Sequence, residues 1–140
     1  FSFLGPHMPL NGRFAASDFI RDALDGKTIV IKGDGKPVRS YLYASDLAVW
    51  LWTILVRGKS SRPYNVGSEQ PTTILELAEA VADKAAPLAV EVRGKAVSGA
   101  APDYYVPDTG RAQTELNLKQ NVSLNEAIQK TLQWNRNYNQ

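Results

Sequence analysis

Apolar positions along this chain fall into short runs spaced now by two residues and now by three or four, each run ended by Gly, Pro, Asn or Asp. Phe1 to Leu4 predicts a buried strand stopped by Gly5-Pro6, and "HMPLNGRF" predicts a loop carrying Pro9 and the turn pair Asn11-Gly12. Phe19, Ile20, Ala23 and Leu24 share one helical face. Ser17 and Asp18 are placed to begin that helix, and Gly26 to supply a left-handed stop. The β-branched run Thr28-Ile29-Val30-Ile31 predicts a strand, followed by a Gly33-Asp34-Gly35 turn and a second strand from Val38 to Tyr43.

Ser45 is placed as the N-cap of a helix from Asp46 to Arg57 closed by Gly58. Leu47, Val49, Trp50, Leu51, Trp52, Ile54, Leu55 and Val56 leave that helix almost no polar face, so the pattern requires it to be covered on most sides. "RPYNVGS" predicts a short strand after a proline, and "LAVEVRG" another. Between them Thr73 and Glu76 have capping-box spacing ahead of Leu77, Ala78, Val81 and Ala82. "APDYYVPDTGRA" is irregular, and a helix from Thr109 to about Leu116 follows it. Ser123 and Glu126 signal the start of a last helix, which Trp134 docks. Strand and helix mix without strict alternation. The expected fold is mixed α/β (α+β), a small sheet with about five helices whose strands pair partly in parallel.

With 140 residues and 44% hydrophobic content, the chain reads as one domain, residues 1–140, with a real core. Sixteen Lys and Arg against fourteen Asp and Glu are scattered, so no basic face for nucleic acid is expected. There is no cysteine and a single His7, which excludes a thiolate nucleophile and a His or Cys metal cluster. No run reaches the ~18 apolar residues of a membrane span. Nor does a charged start lead into an apolar core, so a soluble, cytoplasmic chain without membrane contact is expected. The chain opens on an apolar run without Met, as expected of a chain that begins inside a domain.

Reaction chemistry is missing. No tyrosine has a lysine four residues on: those positions hold Ser45, Leu47, Ser68, Asp108 and Thr109 after Tyr41, Tyr43, Tyr64, Tyr104 and Tyr105. Gly33-Asp34-Gly35 begins like a dinucleotide fingerprint, but the third glycine is absent and a strand follows. Asp103 and Asp108 read as solvated loop carboxylates rather than an acid/base pair. Trp50 and Trp52 read as core packing. One residue resists this bland account: Arg39, a permanent charge inside the most core-like stretch, which the residues alone assign to a salt bridge or the surface.

"GDGKPVRSYLYASDLA", with "FSFLGP", "RPYNVGS" and "YYVPDTGRAQTELNL" in order around it, resembles the C-terminal, substrate-binding part of the NAD-dependent epimerase/dehydratase family of extended short-chain dehydrogenases. The likeness covers essentially the whole chain and is nearest in flavour to nucleoside-diphosphate-sugar epimerases and 4,6-dehydratases, an isomerase and a lyase class. It implies the C-terminal lobe of an extended Rossmann-type enzyme without its dinucleotide-binding half. That missing half would hold NAD, the glycine-rich loop and the Tyr-x-x-x-Lys pair. The expected partner is a UDP- or dTDP-linked sugar. No catalytic residue, cofactor-binding residue or metal ligand is expected in this chain, which alone would be inactive.

By the same resemblance Arg39 aligns with the family's diphosphate-binding arginine, a role suited to a planar guanidinium fork. Ser2 stands in place of an asparagine that hydrogen-bonds the nucleotide-sugar. Phe14 falls where backbone donates to the nucleotide, and Arg13 either reaches a phosphate or faces water. Val30 and Lys32 fall where the family encloses the base. Asn65 matches a position near the nucleotide and reads equally as a backbone cap. Tyr105 matches a tyrosine that usually follows a second phosphate-binding arginine by seven residues. Here that place holds Ser98, with Arg93 or Lys95 as substitutes. The competing expectation is a stand-alone nucleotide-binding or protein-interaction module without catalysis. Exposed apolar surface, and with it homo-oligomers, is expected under either reading.

Overall fold

Ile29 and Ile31 point into the protein while Val30 between them is half-buried, the alternation that a strand imposes on a β-branched run. The computed structural model describes residues 1–95, 99, 101 and 103–138. Its elements are β1 (Ser2–Leu4), α1 (Ala15–Leu24), β2 (Ile29–Ile31), β3 (Val38–Arg39), β4 (Tyr41–Tyr43), α2 (Ala44–Arg57), β5 (Thr72–Thr73), α3 (Ile74–Ala85), β6 (Val90–Val92), α4 (Gly110–Leu116) and α5 (Leu124–Tyr138). The mixed fold with five helices is therefore as expected.

The strands form three two-stranded sheets. β1 runs parallel to β4, with Ser2 opposite Tyr41, and β2 parallel to β6, with Ile29 opposite Val90. β3 is antiparallel to β5, with Arg39 opposite Thr72. The single strand expected over Val38–Tyr43 is thus two. The partner changes at buried Ser40, where pairing passes from β5 to β1. Packing of α1, α3 and α5 against these strands makes the main core, around Phe19, Ile20, Leu77, Val81, Ile128 and Leu132. A smaller core of Trp50, Ala112, Leu116 and Leu118 lies between α2 and α4.

Local capping explains most boundaries. Thr73 Oγ1 accepts from Glu76 N–H at 3.1 Å while Thr73 N–H donates to the Glu76 carboxylate at 2.7 Å, the reciprocal box that starts α3. Ser123 Oγ accepts from Glu126 N–H at 3.3 Å at the start of α5. Gly26 closes α1 at φ 66°, as its position predicts. α1 starts two residues earlier than expected because Ser17 acts from inside the helix, donating its hydroxyl to the Phe14 carbonyl at 2.7 Å. α2 likewise starts at Ala44, because β4 runs straight into it; Ser45 lies within the helix and is exposed.

Two expectations fail for tertiary reasons. "RPYNVGS" is not a strand. Pro63 has no N–H to give a ladder, and the segment is held by side chains instead, Arg62 and Tyr64 both binding the Glu115 carboxylate on α4. α2 is not covered on most sides either. Only Asp46 and Trp50 of this helix are buried, while Trp52, Leu55 and Val56 are 67%, 72% and 75% exposed. Trp52 is therefore not core, and Trp134 does pack as expected, half-buried with its ring 4.4 Å from His7.

Candidate functional site

Gly35 sits at φ 77°, in the left-handed region open to glycine, and is buried beneath the first turn of α3, where Leu75 N–H donates to its carbonyl at 3.0 Å. This and a bond from Ile74 N–H to the Pro37 carbonyl at 3.0 Å anchor the 33–37 turn that leads into β3. Two hollows result, of about 570 and 360 Å³. They share a wall of Arg13, Phe14, Ala15, Arg39 and Ile74 and make one cleft. The larger hollow is apolar, lined by Phe1, Phe3, Leu4, Met8 and Tyr41 with Ser2 and His7 among them. The smaller one is lined by Asp18 and Lys32 together with Phe19, Val30, Ile31 and Gly33.

Six of the eight residues singled out from the sequence, Ser2, Arg13, Phe14, Val30, Lys32 and Arg39, line this cleft. The other two do not. Asn65 donates its amide to the Asp108 carbonyl at 2.7 Å, a bond across 43 residues rather than a local cap. Tyr105 sits behind the wall, its ring 5.3 Å from that of Phe1. Arg93 is exposed and pairs with Glu91 at 3.0 Å, and Ser98 lies outside the described residues.

Arg39 is the pivot. Its Nη1 donates to the carbonyls of Val38 at 2.8 Å and Asp103 at 3.1 Å, and its Nη2 to the Asp103 carboxylate at 2.6 Å. Arg39 thus makes a salt bridge, as the residues alone anticipate, and it also lines both hollows. Lys32 is exposed and pairs with Asp18 at 3.3 Å, while Arg13 is exposed at the start of α1. Tyr41 forms part of the floor; burial pushes its phenol up to about 12, opposed by the nearby Arg39 charge. The cleft thus offers guanidinium groups and the N-terminal turn of α1 to an anion, with an apolar hollow beside them.

A buried carboxylate that sequence reading passed over lies away from the cleft. Asp46, in the first turn of α2, accepts from the backbone N–H of Asn121 at 2.9 Å and of Val122 at 3.0 Å, and from the Asn121 amide at 3.2 Å. Trp50, one turn on, donates Nε1–H to the Lys119 carbonyl at 3.1 Å. Together they fasten α2 to the segment before α5. Glu69 acts similarly on α4: bonds from Thr109 N–H and its hydroxyl, at 2.6 and 2.9 Å, hold its carboxyl below the usual carboxylate range.

Gly33-Asp34-Gly35 joins β2 to β3, and the strands that run directly into helices, β4 into α2 and β5 into α3, do so without glycine. Among the described residues no three metal-ligating side chains come together, and no helix is long and apolar enough to cross a membrane.

Residues 1–67 match the sequence model of the NAD dependent epimerase/dehydratase family. UDP-glucuronic acid decarboxylase 1 of Arabidopsis thaliana is 32% identical over 128 residues, 91% of this chain and 29% of that protein. The chain thus spans about a third of the length of the curated relatives it matches. UDP-glucose 4-epimerase of Thermotoga maritima, solved with UDP-glucose, superposes with a TM-score of 0.85 at 21% identity over 99% of this chain and 45% of that one. The dTDP-glucose 4,6-dehydratase of Bacillus anthracis, solved with NAD, gives 0.82 at 20% identity over 98% and 43%. At these identities the structures show a shared fold. With the sequence match, they relate the chain to the NAD-dependent epimerase/dehydratase family, as its four motifs imply.

Proposed function

We propose that this relative of the NAD-dependent epimerase/dehydratases is, over residues 1–140, the nucleotide-sugar-binding lobe of such an enzyme. The observation that carries the reading is the position of Arg39, on the wall common to two adjoining hollows, one of which also holds Lys32 and Asp18. A diphosphate lies against Arg39, Arg13 and the backbone of the first turn of α1, where charge and helix dipole both favour an anion. The base lies against Val30 and Lys32, and the sugar side of the ligand passes toward Ser2 and the larger hollow. Tyr105 supports that hollow through Phe1, whereas Asn65 is occupied with Asp108 and lies outside the grip. UDP is the first nucleotide to try, because the decarboxylase and epimerase relatives are named for UDP-linked sugars.

The share of this chain in the reaction is binding and orientation. Hydride chemistry belongs to a nicotinamide cofactor and a Tyr-x-x-x-Lys pair, and these 140 residues contain no such pair. Calorimetric titration of the chain with UDP, thymidine diphosphate and NAD tests the reading. Saturable binding of a nucleoside diphosphate and none of NAD is expected. Arg39→Ala should weaken it on the order of tenfold or more, the worth of one charged hydrogen-bonding group. Binding that survives Arg39→Ala unchanged, or a cooperatively melting chain that binds no diphosphate, overturns the reading.

A further inference from the structure

We propose that Asp103 is a built-in occupant of the Arg39 anion seat, a carboxylate that a substrate diphosphate must displace and that thereby sets the selectivity of the cleft for highly charged ligands. The inference rests on the reading of this cleft as a nucleotide-sugar site and names a residue that reading leaves unused.

The geometry separates what is fixed from what can move. The main chain around Asp103 is tied to β3 on both sides: Val38 N–H donates to the Asp103 carbonyl at 2.8 Å, and Tyr105 N–H to the Val38 carbonyl at 3.0 Å. Arg39 Nη1 shares that same Asp103 carbonyl. The carboxylate, by contrast, is 70% exposed, and among the described residues Arg39 is its one ion-pair partner, at 2.6 Å. Side-chain rotation alone takes it into water, at little desolvation cost, while two carbonyls keep the guanidinium in place. Asp18, the acid that lines the cleft itself, is different. It is half-buried and also bound by Arg21 at 2.8 Å, so it belongs to α1.

A carboxylate brings one negative charge to the fork, and a nucleoside diphosphate brings more charge and more acceptor oxygens. The exchange therefore favours the diphosphate and disfavours singly charged or neutral ligands. A carboxylate left beside the bound phosphates also repels them, so its removal strengthens binding. If Asp103 instead served to hold Arg39 in place, its removal would weaken binding. The two roles predict opposite signs.

The test is calorimetric titration of the chain with UDP and with uridine, for the parent, Asp103→Asn and Asp103→Ala, each checked for a cooperative melt. Tightening of UDP by several-fold in both variants, with uridine unchanged, is the expected result. Unchanged or weaker UDP binding, or equal tightening of uridine, overturns the role of Asp103 while leaving the nucleotide-sugar reading standing. Failure of the folded parent and of both variants to bind UDP overturns that reading and this inference with it.

Discussion

Arg39 and Asp46 are both charges placed in apolar stretches, and their partners show why one suits a binding site and the other a joint. Arg39 keeps part of its fork turned to a cleft, whereas Asp46 is 3% exposed and saturated by donors from Asn121 and Val122. Removing the Asp46 carboxylate leaves backbone N–H groups without their acceptor, which costs about 2–4 kcal/mol by the usual penalty for unsatisfied buried polar groups. Asp46→Ala should therefore lower the urea midpoint markedly without changing the denaturant slope. Only part of this was legible in the sequence. Arg39 stood out because a strand pattern surrounds it, but Asp46 looked like an ordinary acidic residue at a helix start, since its partners lie 75 residues away. Asp103 read as no more than a solvated loop carboxylate for the same reason: its carboxylate meets Arg39 across 64 residues.

Among the elements, α2 separates pattern from packing. Its sequence is apolar nearly all round, yet the described residues cover it only on the side facing β1, β4 and α4. Trp50→Ala should cost about 3–5 kcal/mol, as for a large core side chain, whereas Trp52→Ala should stay within about 0.5 kcal/mol, as for a surface position. Equilibrium denaturation of the two variants measures the contrast directly. Helices with caps written into neighbouring residues, such as α3 with Thr73 and Glu76, were readable in place. What was not readable was pairing that depends on distant chain: the break at Ser40, where β3 and β4 join different sheets, and the side-chain clamp that replaces a strand around Tyr64.

For the whole molecule, the topology brings β1, the start of α1 and the turn before β3 to one side, and that juxtaposition makes the cleft. No single motif announces it: Ser2, Arg13, Val30 and Arg39 come from four separate segments. The resemblance collected them, and the fold places them around connected hollows. Asn65 and Tyr105 fall outside because their partners, the Asp108 carbonyl and the Phe1 ring, lie far away in sequence. The exposed apolar face of α2 lies on another part of the surface, so association through that face leaves the cleft a separate matter. The most direct measurement is a two-dimensional amide NMR titration of the chain with UDP. The account predicts saturable shifts concentrated at Arg13, Phe14, Ala15, Lys32 and Arg39, with α2 beyond Trp50 unmoved; shifts confined to α2, or none in a folded chain, would contradict it.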